Sequence, residues 1–339
     1  MILTDYFRSD PDRTWDFAVQ CGVSHGVIRL PDSPDFDITN AAQWRDICGR
    51  FEAYGIKPVV LEPIPNRLHD HIKAGDELRD ASIDQLIRAF PIMRDNGITT
   101  VCFNFMAHIG WLRTASDIAE RGGAMVTGFD MAVFNAGDYG GKGRSVSEAA
   151  LWDNYEYFIR AVMPEAERYG IRMALHPDDP PVARLGNVSR IMISADAIRR
   201  ALAVVKSDYL GITMCQATYH MMGADVELVT AELADKIFFI HFRNCRGDKY
   251  RFSETFHDNG ELDMAGLIRN YIRCGIDVPI RVDHVPLMAG ETGENTGYNA
   301  LGRLYAIGYL RGLLEMCECD ERSGIDRISV SREPGGAGS

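Results

Sequence analysis

Eight short apolar runs rich in β-formers recur along the chain, separated by longer stretches of helical periodicity, and this alternation narrows the fold more than any other feature. The runs are Ile2–Tyr6, Gly26–Leu30, Lys57–Glu62, Thr99–Phe105, Arg172–His176, Leu210–Cys215, Ile237–Phe242 and Pro279–Asp283. Helical patterns occupy Ala41–Tyr54, Ser82–Asn96, Val146–Tyr169, Ala195–Lys206, Asp225–Ala234, Met264–Cys274 and Gly297–Met316. In the first, Trp44, Ile47, Cys48 and Phe51 repeat at helical spacing, Thr39 or Asn40 can cap the start, and Gly55 stops it. Strand followed by helix, in seven of the eight units, calls for parallel strands joined by crossover helices. A doubly wound dinucleotide-binding sheet would carry G-x-G-x-x-G after its first strand, and none follows Tyr6 or Leu30. The expected fold is therefore α/β, a closed (β/α)8 TIM barrel. It forms one domain over residues 1–331, and residues 332–339 form a flexible tail.

Two connections are long: Met106 to Ser145, rich in glycine, and Pro177 to Ile193. Both follow C-terminal strand ends, the face on which barrel enzymes keep their chemistry. They read as a lid or substrate cover, with a solvated surface insertion as the plainer alternative.

The formal charge of −12 argues against a nucleic-acid partner, since neutralising phosphates needs a basic surface. A small anionic substrate remains compatible, because a few arginines in a cleft can hold one carboxylate. No apolar stretch of about 18 residues suggests a membrane span. Met1 to Arg13 holds Asp5, Asp10 and Asp12 and no apolar signal core, so cytoplasmic residence is the expectation. The eight cysteines are scattered and read as reduced, with Cys215 set apart by its position. A homo-oligomer is left open.

Four consecutive strand ends each deliver a metal-ligating residue type: His176, Cys215, His241 and Asp283. Consecutive strands are neighbours around a barrel, so these side chains would meet at its mouth. Imidazole, thiolate and carboxylate together suit a divalent transition metal. The alternative is a set of core histidines and an inert thiol. Strand alternation places Arg243 on the face of His241, and Arg281 on that of Asp283. Arg243 is read as a contact to an anionic substrate; Arg281 is read equally as such a contact or as an internal ion pair. Tyr298 and His284 are proton-transfer candidates, although a tyrosine there also packs well and His284 also fits a polar loop.

The segment His176-Pro177-Asp178-Asp179-Pro180-Pro181 resembles a signature of the mannonate dehydratase family. So do Cys215-Gln216, His241-Phe242-Arg243-Asn244, Asp283-His284 and the run from Gly297 to Leu304, in that order. Asn104-Phe105-Met106 and Trp111-Leu112-Arg113-Thr114 are similar to the family's first active-face loop. The resemblance implies a xylose-isomerase-like barrel that dehydrates D-mannonate to 2-keto-3-deoxy-D-gluconate in hexuronate breakdown. It implies metal ligands His176, Cys215, His241 and Asp283 around manganese, with iron the alternative. Tyr298, His284 and Asp283 would be catalytic, and Arg243, Arg281 and Asp178 would face the substrate. The stretch before Glu62 lacks the family's tryptophan-rich opening, and Ala217 with Tyr219-His220 replaces a Gly-rich turn after the cysteine. The substrate wall is thus altered around an intact set of ligands. A sugar isomerase or epimerase on the same barrel, or a sugar-acid binding protein without turnover, are the rival readings.

Overall fold

The computed structural model describes residues 1–139, 143–293 and 295–323, and the side chains only up to residue 317. The proposed tail, residues 332–339, lies outside the described residues. Eight parallel strands close a barrel: β1 (Ile2–Arg8), β2 (His25–Arg29), β3 (Lys57–Leu61), β4 (Thr100–Phe103), β5 (Arg172–Leu175), β6 (Leu210–Cys215), β7 (Ile237–Phe242) and β8 (Pro279–Val282). Neighbours in sequence are neighbours in space, and β8 returns to pair with β1 through Ile2–Pro279 and Thr4–Arg281. The expected barrel is the observed one.

Two apolar layers hold it. Between strands and outer helices lies the main core, where Phe7, Trp15 and Phe51 make edge and tilted ring contacts at 4.3–5.8 Å. Inside the barrel a smaller plug of Val27, Val60, Cys102, Ala174 and Phe239 closes the floor. The helix Ala41–Ala53 buries Trp44, Ile47 and Phe51, and the Asn40 side chain accepts from the amides of Ala42 and Gln43, satisfying two of the free donors at its start. Gly55 then turns the chain in the left-handed region at φ 71°, where a Cβ would be strained.

The described part of the long loop, residues 106–139, has a fold of its own. Ala115–Ala119 and Met125–Asp130 join the hairpin Cys245–Asp248 and Arg251–Glu254 in a four-stranded antiparallel sheet over the C-terminal mouth. Beneath it Ile109, Phe129, Phe134, Leu185 and Phe252 form a separate apolar cluster, which makes it a packed cover where the solvated insertion would have none. The strands approach closely at Gly128, where a Cβ would stand 2.7 Å from the Phe252 carbonyl oxygen. The second long connection folds into a small hairpin, Arg184–Leu185 with Val188–Ser189. Periodicity over short spans did not reveal these strands, nor the short helices Arg13–Gln20, Asn66–Ala74, Met131–Ala136 and Gln216–Met221.

Candidate active site

The period of two along a strand decides what faces the interior. Above the plug residues Val27, Val60, Cys102, Ala174 and Phe239, the next inward positions toward the mouth are Arg29, Glu62, Asn104, His176 and His241. These residues line a chamber of about 480 Å³ beneath the cover sheet. That is a usual size for a small-molecule site, roughly 300–1,000 Å³.

Three of the four expected ligands converge. The ligating atoms of His176, Cys215 and His241 all lie within 4.8 Å of one another. His176 Nε2 is 3.1 Å from His241 Nδ1, while His176 Nδ1 is 2.6 Å from the Pro177 carbonyl oxygen, which orients the ring. The Thr218 hydroxyl donates to Cys215 Sγ at 3.1 Å. Asp283 stands beside this trio: its Oδ2 is 3.6 Å from His241 Nδ1, while its Oδ1 accepts from Arg281 at 2.8 Å and from the Tyr298 hydroxyl at 2.9 Å. His241 Nε2 lies 3.1 Å from Glu62 Oε1, without the alignment of a hydrogen bond, and is otherwise an unpartnered buried atom. Two imidazoles, a thiol and a flanking carboxylate are a donor set that fits a divalent transition ion. Glu62, Cys102 and His241 form an overlapping trio, but Arg281 already bonds both Glu62 oxygens, so a cation there would be opposed.

Around the trio the charges are buried and mutually satisfied. Arg243, fully buried, bonds Asp179 at 2.7 Å and lies 3.6 Å from Asp283. Arg113 forks onto both Asp179 oxygens at 2.8 and 2.9 Å and also bonds Glu254. Burial works against ionisation of these carboxylates, but the arginines outweigh it. Arg113 and Arg243 hold Asp179 far below the ordinary range, and Arg281 followed by His241 does the same for Glu62. His284 and Arg281 keep Asp283 well below its usual value, and Arg243 with His284 brings Glu254 down to about 2. Burial lowers His176, favouring the neutral ring a metal needs. Burial, then the Asp283 charge, raises Tyr298 well above the usual phenol, so it carries its proton.

His284 adopts φ 44°, a rare backbone for a bulky residue, and its Nδ1 is 3.0 Å from Glu254 Oε1. The ring packs on Trp111 at 5.0 Å and on Tyr298 at 5.4 Å, between centroids. Arg281 takes the ion-pair role, on Glu62 and Asp283, while still lining the chamber.

Asp178 is not brought into the chamber. Its Oδ2 accepts from the amides of Ile191 and Met192, so the carboxylate is spent on fixing its own loop, and its neighbour Asp179 faces inward instead. Sequence reasoning missed Glu62, Asp179, Glu254 and Arg113 as site residues. Glu62 carried the same signal as Asp283, a carboxylate at a strand end, and Arg113 stood inside a loop already singled out. Glu254 had no signal, since only the cover sheet carries it inward.

The family model of D-mannonate dehydratase (UxuA) matches residues 8–140 and 140–323. A mannonate dehydratase of Streptococcus agalactiae serotype III is 32% identical, covering 91% of this chain and 96% of the relative. One of Oceanobacillus iheyensis is 29% identical, with 93% and 97% covered. The crystal structure of mannonate dehydratase from Streptococcus suis serotype 2 superposes with a TM-score of 0.85 at 26% identity, covering 96% of each chain. An L-ribulose 3-epimerase, at TM-score 0.60 and 15% identity over 97% of this chain and 99% of its own, shares the barrel alone. With the family model spanning most of the chain, the protein belongs to the D-mannonate dehydratase family.

Proposed function

We propose that this protein is a hydro-lyase that removes water from D-mannonate to give 2-keto-3-deoxy-D-gluconate. The observation that carries the reading is the convergence of His176, Cys215 and His241 at the wall of a chamber that Asp283, Tyr298 and His284 also line. His176, Cys215 and His241 would hold the metal, with Asp283 the adjacent carboxylate; manganese is the ion we assign, iron the alternative. When bound, the metal supplies Lewis acidity for negative charge developing next to the substrate carboxylate.

The protein's own groups divide the proton work. Elimination takes the proton from C2 and expels the hydroxyl from C3, so it needs one base and one acid. We assign His284 as the base; its ring is held through Nδ1, which stands 3.0 Å from both Glu254 Oε1 and Arg243 Nη1. Tyr298 keeps its proton and is the acid for the leaving hydroxyl, its phenol aimed by Asp283. Asp283, held ionised by Arg281 and Arg243, orients and does not donate. Arg243 and Asp179 set the wall against which the anionic substrate lies. The same reading assigns the protein to hexuronate breakdown in the cytoplasm.

The test is incubation of manganese-loaded protein with D-mannonate, following the 2-keto acid. Formation of 2-keto-3-deoxy-D-gluconate is expected. Recovery of an isomer of unchanged mass, or of unreacted mannonate, would overturn the reading.

A further inference from the structure

The chamber has a second end. At the C-terminal ends of β1 and β2, Arg8 and Arg29 are register partners in a parallel pair, so both side chains leave the sheet on the same face. The inward pair below them is Tyr6 and Val27, and Arg8 and Arg29 both line the same chamber as the histidines. Like charges directly opposite across strands repel, and such pairs destabilise a sheet unless something compensates.

Among the described residues neither has a carboxylate within ion-pair distance: Glu62, beside Arg29 in the register of β2 and β3, has both oxygens taken by Arg281. The other arginines on the chamber wall each hold a carboxylate: Arg243 has Asp179, Arg281 has Glu62, and Arg303 has Asp5. Arg8 instead donates to the neutral Asn295 amide oxygen at 2.9 Å, and Arg29 meets the phenol of Tyr6, which burial keeps protonated. Asp12 also lines this end, but one of its oxygens takes the amide and hydroxyl of Thr14, capping the helix that begins at Arg13. Two guanidinium forks side by side, half open to solvent and with no carboxylate in ion-pair contact, make a receptor for a carboxylate or phosphate.

We propose that Arg8 and Arg29 form a second anion subsite, and that through it the enzyme also dehydrates sugar acids bearing an anionic group at the end remote from C1. The ligand is a distal carboxylate, as in an aldarate, or a distal phosphate ester. The inference rests on the dehydratase reading above. The chemistry is unchanged and balances without a co-reactant: the C2–H bond breaks to the base and the C3–O bond breaks with the proton from the acid. Water leaves, and the enol left behind becomes the 2-keto-3-deoxy acid. The distal anion stays intact and serves only to hold the chain in register with the metal end.

The experiment compares D-mannonate with D-mannarate, which differs at the terminal carbon alone, and with 6-phospho-D-mannonate. The manganese-loaded wild type, the Arg8→Gln/Arg29→Gln double variant and the Arg8→Lys/Arg29→Lys double variant are assayed with each. In the wild type at least one dianion is dehydrated, and the glutamine variant lowers its kcat/KM relative to that for D-mannonate by tenfold or more. The lysine variant, which keeps the charge, recovers most of that ratio. Which dianion responds tells carboxylate from phosphate. Conversion of D-mannonate but of neither dianion overturns the subsite and leaves the dehydratase reading standing; so does an unchanged ratio. If D-mannonate itself is not converted, calorimetric binding of D-mannarate decides: tenfold weaker binding in the glutamine variant supports the subsite, and equal binding sinks it.

Discussion

Around β7, β8 and the cover sheet the charged groups at and behind the chamber wall satisfy one another, whereas along β1 and β2 two arginines have, among the described residues, no carboxylate in ion-pair contact. On the first side Arg113, Arg243, Arg281, Asp179, Glu254 and Asp283 have side chains at most 3% exposed, each with an ionic partner within the protein. On the second, Arg8 is exposed and Arg29 half-buried. The difference separates two physical tasks. Catalytic groups must be in place before the substrate arrives, so their charges are fixed internally. A group that only recognises an end of the substrate can leave its charge for the ligand.

The largest break in this comparison comes from the trio proposed to hold the metal. His241→Asn, or Cys215→Ser with His176→Asn, should remove bound metal, read by elemental analysis, and lower kcat at least a thousandfold. Activity retained at that level without metal would show that the trio is not the centre. Tyr298→Phe comes next. It keeps the ring packing on His284 and Tyr6 and removes only the hydroxyl, so metal content should hold while kcat drops by about 10²–10⁴. A loss confined to KM would instead make Tyr298 a substrate contact.

The same comparison explains what could be read in advance. His176, Cys215 and His241 were legible because each closes a strongly apolar strand, and a barrel brings such ends together whatever the sequence between them. Arg281 was legible in position only, since strand alternation says which face a side chain takes but not whether Glu62 will claim it. Asp178 and Asp179 were indistinguishable: which of two adjacent carboxylates faces inward depends on the turn through Pro180 and on amides from Ile191 and Met192. Glu254 was out of reach. Its strand pairs with Met125–Asp130, over 100 residues away in the chain, and local periodicity holds no trace of that pairing.

Stability probes the same contrast on a smaller scale. Replacing Arg113 by Met strands Asp179 and Glu254 with one cation fewer in a buried site, and should cost about 3–5 kcal/mol in denaturant unfolding. An effect below about 1 kcal/mol would mean the network relaxes or admits water. Outside the chamber His257 gives a pH-dependent measure. Burial lowers its pKa from 6.5 to about 4, and its Nε2 bonds the Phe242 carbonyl at 2.8 Å. The folded state thus refuses a proton that the unfolded state binds. Its contribution is complete above pH 6.5 and is lost as pH falls toward 4, by roughly 3 kcal/mol. His257→Gln should flatten the fall in unfolding free energy between pH 7 and pH 4.5, and an unchanged slope would assign the loss to other groups.

The smallest effect belongs to the open end of the chamber. If Arg8 and Arg29 are held for a ligand rather than for the fold, Arg8→Gln/Arg29→Gln removes a like-charge repulsion and no ion pair. Unfolding free energy in phosphate-free, low-salt buffer should then change by less than about 0.5 kcal/mol, with the sign toward greater stability. Adding inorganic phosphate should raise Tm of the wild type more than that of the double variant, because an anion bound only by the folded state stabilises it by RT ln(1 + [L]/Kd). A loss of 2 kcal/mol or more in the double variant, without phosphate, would mean these arginines support the β1–β2 rim itself. The contrast between a self-satisfied wall and a waiting one would then fail at its open side.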